Sequence, residues 1–206
     1  MEQEVQKRGV QKQEIREQCV QERASSTHGK PHMLLHCCCA PCASYVIEHL
    51  MPEYNISVLF FNPNIEPQDE YNKRKNELMR LLQNTPYASG AALIDCEYEN
   101  HVFKDAVKLL RNEPEGGTRC RMCFELRLER TAAVSKAGGC DIFATTLSVS
   151  PHKNAKLLNA IGNQLSAEYG VEYLNSDFKK KNGYKHSVEL SKRYKLYRQE
   201  YCGCKG

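Results

Sequence analysis

Cysteines are the residues of this sequence best suited to chemistry, and seven of the eleven occur in three short groups. They are Cys38, Cys39, Cys42, Cys120, Cys123, Cys202 and Cys204. A Cys-X-X-Cys spacing occurs in two groups and lets two thiolates reach one metal ion, because the intervening backbone folds back. Both spacings lie at expected helix starts, where the helix dipole favours thiolates. So many thiols, in a chain long enough to fold without disulfides, indicate metal ligation or redox chemistry.

Three kinds of site are compatible with these groups. A structural zinc site would use Cys39, Cys42, Cys120 and Cys123. A thioredoxin-like dithiol would use Cys39 and Cys42 alone. An iron–sulfur cluster needs four thiolates, and the surplus leaves room for a second metal beside it. The spacing favours the cluster over zinc, and zinc over the dithiol.

The other cysteines have simpler interpretations. Cys19 lies in a polar segment, whereas Cys96 and Cys140 border apolar runs and are expected to be small packing residues. Cys37 alternates with Cys38, so we expect its side chain to face the opposite side of the sheet.

Composition excludes some classes of protein but does not identify the function. The net charge is +4, which permits an RNA partner but does not require one. The N-terminus lacks the apolar region of a secretory signal, and no run approaches the roughly 18 apolar residues of a membrane span. We therefore expect a cytoplasmic protein with reduced thiols and no membrane partner. The sequence has no glycine-rich phosphate loop, so ATP binding is not expected.

Short apolar runs alternate with helical patterns from residue 31 onward. The predicted strands are His32–His36, Asn55–Asn62, Ala91–Cys96, Asp141–Leu147 and Val171–Leu174. The predicted helices are Ala43–Leu50, Gln68–Gln83, Asn100–Arg111, Met122–Ala137, Ser150–Tyr169 and Lys185–Tyr197. This alternation predicts one α/β domain over residues 31–206, with a parallel sheet flanked by helices. Residues 1–30 are predicted to be a polar extension, helical or disordered. Functional groups are expected beyond the carboxyl ends of the strands.

Five ordered sequence blocks carry a family resemblance. They are HCCCAPC, FFNPNIEPQDEYNKRKNEL, TRCRMCFELRLERTA, FATTLSVSPHKN and YRQEYCGC. Together they resemble the QueH-type epoxyqueuosine reductases, which do not use cobalamin. The resemblance implies a Rossmann-like fold of the HUP type. It also implies an oxidoreductase that removes the epoxide oxygen from epoxyqueuosine at the tRNA wobble position, the last step of queuosine synthesis.

The same resemblance implies a cofactor set and its ligands. The family is understood to hold a 4Fe-4S cluster with a separate metal, an iron, next to it. Matching the motifs assigns all seven grouped cysteines as ligands, with Cys120 and Cys123 on the cluster. One member of each of the pairs Cys38/Cys39 and Cys202/Cys204 would join them. The others, with Cys42, would hold the second iron, and the resemblance leaves the choice within each pair open.

Polar residues beside the motif blocks are candidates for substrate contact. Asn62 and Asn64 follow the second strand, where they could bind substrate or cap the next helix. Arg119 and Arg198 could contact phosphates around an anticodon loop or be solvated charges. Candidate proton donors, among which the sequence does not choose, are Asp177, Tyr184, His186 and Tyr197. His36 is expected to pack beside the thiols rather than to bind metal.

The expected partners are tRNA carrying epoxyqueuosine and a low-potential electron donor such as ferredoxin or flavodoxin. Two other functions fit the cysteine pattern. One is a cluster-dependent thiol/disulfide reductase without RNA, and the other is a zinc-stabilised RNA-binding module. Metal and sulfide analysis distinguishes the zinc protein, and salt-dependent tRNA binding distinguishes the thiol reductase.

Overall fold

A five-stranded, all-parallel sheet forms the centre of the computed structural model, which describes residues 29–204. The strands are β1 (His32–His36), β2 (Asn55–Leu59), β3 (Ala92–Ile94), β4 (Ile142–Thr145) and β5 (Glu172–Tyr173). Their order across the sheet is β3-β2-β1-β4-β5, so β1 lies in the middle. All five residues of β1 are buried because helices cover both faces, as is usual for a parallel sheet.

Helices cover the two faces of the sheet. They are α1 (Ala40–Leu50), α2 (Gln68–Asn84), α3 (Asn100–Ala106), α4 (Thr118–Ala137), α5 (Ala155–Tyr169) and α6 (Gly183–Arg193). Met33 and Leu35 face a core formed with α1 and α2, while Leu34 faces a second core formed with α4 and α5. The predicted fold class, an α/β parallel sheet flanked by helices, is confirmed.

The alternation of side chains at the end of β1 separates the consecutive cysteines. Cys37 is fully buried in the first core, whereas Cys38 and Cys39 belong to the second. Cys37 therefore faces away from Cys38, as predicted, because successive side chains of an extended segment point to opposite sides.

Several predicted element boundaries were wrong. The helix predicted from Ser150 begins at Ala155, because residues 150–154 form a turn in which the Asn154 side chain accepts from the Leu157 N–H at 3.2 Å. Pro151 therefore lies in the turn and not in the first helical turn. The predicted strand to Leu147 ends at Thr145, whose hydroxyl accepts from the Leu147 N–H and begins a 3₁₀ turn.

Smaller differences affect the other elements. Strands β2, β3 and β5 are shorter than predicted, because their outer residues have no parallel partner in the observed register. Helix α3 ends at Ala106 instead of Arg111, and α6 spans Gly183–Arg193 instead of Lys185–Tyr197. The predicted extension over residues 1–30 lies almost wholly outside the described residues.

The strand order creates a crevice next to β1. The chain runs from β1 to β2 and β3 on one side, and from β4 to β5 on the other. Ligands of open parallel sheets bind where this direction reverses, outside the carboxyl ends of the strands. That point lies between β1 and β4, whose last paired residues, His36 and Thr145, are followed by Cys37 and Thr146. Within residues 29–204, no helix is both long and apolar enough to cross a membrane.

Candidate metal centre

The first thiol group lies where β1 passes into α1. Cys39 is the N-cap residue of α1 with an extended backbone, and Cys42 lies in the first helical turn. The Sγ atoms of Cys38, Cys39 and Cys42 all lie within 4.8 Å of one another, and those of Cys38 and Cys39 are 3.8 Å apart. Three thiols at this separation can bind one metal ion together.

The second thiol group joins α4 to the C-terminal segment. Cys120 and Cys123 lie in the first two turns of α4, and the Gly116 N–H donates to the Cys120 Sγ at 3.2 Å. Cys204 packs in the same small apolar cluster as Cys123. The Sγ atoms of Cys202 and Cys204 are 3.4 Å apart. Both predicted helix starts at the Cys-X-X-Cys spacings are present, although α1 and α4 begin three and four residues earlier than predicted.

Both groups meet at one cavity at the carboxyl edge of the sheet. The cavity opens to solvent and has a volume of about 800 Å³ when this open part is included. The thiols that line it are Cys38, Cys120, Cys123, Cys202 and Cys204. Cys39 and Cys42 adjoin the cavity through Cys38. The structure therefore brings together all seven cysteines that the sequence singled out, from segments up to about 160 residues apart.

The C-terminal segment is held against the loop before α2. The Glu66 N–H donates to the Gly203 carbonyl at 2.9 Å. A β-carbon on Gly203 would lie 2.8 Å from the Ile65 Cγ1 atom, so only glycine allows this close approach. This contact fixes Cys202 and Cys204 at the cavity.

Four cations line the same cavity as the thiols: Arg74, Arg119, Arg127 and Lys153. The Arg74 guanidinium is buried and donates to Glu70 at 2.6 Å, but its Nη2 atom has no partner within the described residues. The Arg127 Nε donates to the Cys123 carbonyl at 2.9 Å. An anionic group in the cavity would pair with these donors.

Hydrogen bonds among the thiols of the first group and a nearby cation favour a thiolate at Cys38. The pKa of Cys38 lies well below its usual range because of its hydrogen bonds with the thiols of Cys39 and Cys42, with a further contribution from Lys153. Hydrogen bonds with Cys38 and Cys39 raise the pKa of Cys42 well above its usual range. Burial alone would lower the pKa of Lys153, but its electrostatic interactions with Cys38 and then Cys42 more than offset this and raise it. A cavity with thiolates and buried cations suits a thiolate-bound metal group.

The donor set fits either an iron–sulfur cluster or zinc, since both take thiolates. Seven thiols exceed the four of one tetrahedral zinc site, and the unpaired Arg74 Nη2 indicates a bound group with negative charge. The residues present therefore fit the cofactors that the resemblance implies.

Comparison with known proteins decides the family. A family model described as Epoxyqueuosine reductase QueH matches residues 33–205 of the chain. The chain belongs to the QueH family of epoxyqueuosine reductases. This confirms the predicted family and its oxidoreductase class.

Relatives in distant bacteria carry the same name, Epoxyqueuosine reductase QueH. The protein from Streptococcus pyogenes serotype M1 is 42% identical over 177 residues, which is 85% of this chain and 69% of that protein. The Staphylococcus epidermidis protein is 43% identical over 179 residues, 85% of this chain and 75% of its own. The Thermotoga maritima protein is 36% identical over 172 residues, 84% of this chain and 88% of its own.

Two of the four predicted substrate residues lie at the cavity of this QueH-family chain. Asn64 and Arg119 line it. Asn62 is buried and donates to the Cys37 carbonyl at 2.9 Å, so it braces the loop that carries the thiols. Arg198 lies over the Tyr184 ring, 5.2 Å from its centroid, and is not in the cavity wall. Substrate contacts by these residues stay predictions.

The candidate proton donors have partners outside the cavity. Asp177 pairs with Lys179, and His186 pairs with Glu48. The Tyr197 hydroxyl donates to the Glu70 carboxylate, at 3.1 and 3.2 Å from its two oxygens. None of the four candidates lines the cavity.

His36 packs beneath the thiols of this QueH-family site. Its Nε2 donates to the Phe61 carbonyl at 3.1 Å, so its Nδ1 accepts from the Thr145 hydroxyl at 3.0 Å. Burial, followed by the charge of Arg127, lowers its pKa to about 4 and keeps the ring neutral. Both nitrogens are engaged, so His36 joins β1 to its neighbours.

Sequence reasoning missed Arg74 and Arg127 as site residues. Both belong to charged helices, in which most arginines are solvated, yet they are only 4% and 3% exposed. Their position in the FFNPNIEPQDEYNKRKNEL and TRCRMCFELRLERTA blocks was the signal that could have found them.

Proposed function

We propose that this chain reduces the epoxide of epoxyqueuosine at the wobble position of tRNA and so forms queuosine. The observation that carries the proposal is the convergence of seven cysteines on one cavity lined by cations, in a chain of the QueH family. The names of its relatives supply the substrate, and the cavity supplies a site of suitable chemistry.

The cysteines would hold the two metal groups that the family resemblance implies. Cys120 and Cys123 are proposed to bind the 4Fe-4S cluster, with one of Cys38/Cys39 and one of Cys202/Cys204. The remaining two cysteines, with Cys42, would bind the second iron. The mutual distances within the first thiol group support a metal at that place. When bound, these groups would supply single electrons and a Lewis acid for the epoxide oxygen.

The residues of the chain would bind and orient the modified base. Asn64 and Arg119 offer an amide and a guanidinium at the cavity wall, and both have buried polar atoms without a partner within the described residues. A base must leave the anticodon stack to reach such a cavity. Arg198 would contact a phosphate outside it, and Asn62 would act through the Cys37 loop. The positive net charge is compatible with an RNA partner.

Reduction of the epoxide to an alkene consumes two electrons and two protons and releases water. The electrons would come from a low-potential protein of the ferredoxin or flavodoxin class. We propose that the reaction takes place in the cytoplasm, which suits a tRNA substrate and reduced thiols.

The test uses anaerobically purified protein reconstituted with iron and sulfide. It is incubated with epoxyqueuosine-containing tRNA and a strong reductant, and the digested nucleosides are weighed. We expect epoxyqueuosine to lose one oxygen with the wild type and not with Cys120→Ala. The matched control is Cys96→Ala, because Cys96 is a buried cysteine outside the site and should leave the reaction intact.

Two outcomes would contradict the proposal. No loss of oxygen in protein with full iron and sulfide would exclude this substrate, and disulfide reduction would be assayed next. Colourless protein that holds zinc and no sulfide would favour a zinc-stabilised RNA-binding module.

A further inference from the structure

Arg127 is a buried cation without a carboxylate partner among residues 29–204. Only 3% of its surface is exposed, and it lines the cavity of the thiols. Its Nε donates to the Cys123 carbonyl, which fixes the guanidinium one turn after the second Cys-X-X-Cys spacing. Within residues 29–204, it forms no ion pair with an acidic side chain.

Two neighbouring arginines, unlike Arg127, pair with a carboxylate. Arg74 is similarly buried but pairs with Glu70 at 2.6 Å. Arg130, three residues after Arg127 on the same helix, pairs with Glu99 at 2.6 Å and is more exposed. Removing a charge from water is costly unless an opposite charge compensates it. For Arg127, the opposite charge must therefore lie in the cavity.

The thiols that share the cavity with Arg127 are anions available to it once they are deprotonated. Cys38, Cys123 and Cys202, which come from three different segments of the chain, line the same cavity as Arg127. A metal group bound by these thiolates would carry the same negative charge at the same place. Lys153, which also lines the cavity and has no carboxylate partner in the described part of the chain, would be a second positive charge beside that group.

We propose that Arg127 is the fixed counter-charge of the thiolate-bound metal group and raises its reduction potential. This inference rests on the proposed function, since it requires a redox-active group in the cavity. Uptake of one electron from the low-potential donor makes that group more negative by one charge. No bond forms or breaks, and Arg127 keeps its proton. A positive charge nearby stabilises the reduced form more than the oxidised form.

Because Arg127 is buried and held in place, we expect its charge to have a large effect on the reduction potential. A guanidinium is always protonated, and here the Nε–carbonyl hydrogen bond prevents it from turning away. Little water or salt reaches a buried charge, so its field at the metal group is weakly screened. Arg127 is therefore a positioning and tuning residue and does not need to touch the substrate.

The test compares Arg127→Gln, Arg127→Lys and a control, Arg130→Gln, in the reconstituted full-length protein. Iron and sulfide per chain are measured first, and the midpoint potential is then measured by an anaerobic titration followed by EPR. Glutamine keeps a hydrogen-bond donor but removes the charge, and lysine keeps the charge. Arg130→Gln changes the same helix where the arginine pairs with Glu99.

Arg127→Gln should lower the equilibrium constant for one-electron reduction at least tenfold, which corresponds to a midpoint about 59 mV more negative. Arg127→Lys should stay within roughly threefold of the wild type, since it retains the charge. Arg130→Gln should match the wild type. Loss of iron from Arg127→Gln but not from Arg127→Lys would also support a counter-charge.

Equal midpoints in Arg127→Gln and the wild type would overturn the inference, and so would an equal shift in Arg127→Lys and Arg127→Gln. If neither Arg127 variant holds iron, Lys153→Gln decides, because Lys153 lies in a turn and its replacement leaves the helices intact. An unshifted midpoint there would overturn the inference. Wild-type protein that binds zinc without sulfide would overturn the proposed function as well, which separates the two failures.

Discussion

Gly203→Ala should release the metal group without unfolding the domain. The new β-carbon would lie 2.8 Å from the Ile65 Cγ1, 3.2 Å from the Ile65 Cα and 3.3 Å from the Arg74 Nη1. Ile65 is 1% exposed and packs in the first core, so neither its side chain nor its backbone can move away freely. The C-terminal segment must therefore shift, and it carries Cys202 and Cys204.

The expected magnitude follows from this overlap. Overpacking of a well-packed site costs about 1–3 kcal/mol. If this cost falls on docking of the segment, retention of the metal group weakens by about 5- to 150-fold. The thermal unfolding midpoint of the metal-free protein should change little, because the segment can leave the core while the sheet stays folded.

The assay follows iron loss from reconstituted protein to a chelator, with iron and sulfide per chain as the starting values. Gly90→Ala is the matched control, since the nearest atom to its β-carbon is the flexible Met51 Cε at 3.2 Å. If Gly203→Ala keeps full iron and loses it at the wild-type rate, the C-terminal cysteines do not depend on this contact, and the reasoning fails.

Three further predictions concern charge, pH and substrate. Glu70→Gln removes the carboxylate partner of buried Arg74 and should lower the unfolding free energy of the metal-free protein by about 3–5 kcal/mol, measured in urea at pH 7. The control, Glu125→Gln, removes an exposed ion pair and should lower the unfolding free energy by no more than about 0.5 kcal/mol. Burial would raise the pKa of Glu70, but the hydrogen bond and charge of Arg74 offset this and lower it from 4.5. The stabilising contribution of Glu70 should therefore be present above about pH 4.5 and lost as the pH falls through the lowered pKa, and Glu70→Gln should show a flatter dependence of unfolding free energy on pH. Tyr201 is 44% exposed at the cavity, in a position for a base to stack on its ring. Loss of this stacking in Tyr201→Leu should raise the KM for tRNA by about 5- to 150-fold, while the KM of Tyr201→Phe should stay near that of the wild type. A KM of Tyr201→Leu equal to that of the wild type would exclude stacking on this ring.

The order of strands and helices could be predicted, but some of their ends could not. The apolar residues Met33, Leu34 and Leu35 indicated β1 correctly, because a strand covered on both faces favours apolar side chains. The helix after β4 was predicted to begin near Pro151, a residue common in first turns. Asn154 instead caps the helix with its side chain. The spacing of apolar residues does not show which of these two positions begins the helix.

The sequence by itself determined the set of thiols and the family. Thiolate ligation depends on residue type and on short spacings such as Cys-X-X-Cys, which local sequence records directly. The parallel sheet also followed from local patterns, and with it the expectation that Cys38 and its neighbours lie at a carboxyl edge.

Only the tertiary structure decided which charged side chains lie beside the thiols. Arg74 and Arg127 have the same residue type and a similar burial, yet one pairs with Glu70 and the other faces the thiols. An arginine becomes solvated, paired or a counter-charge according to what the fold places opposite it. Cys38 and Cys202 come from segments far from Arg127 in the chain, so no local pattern could have placed them together.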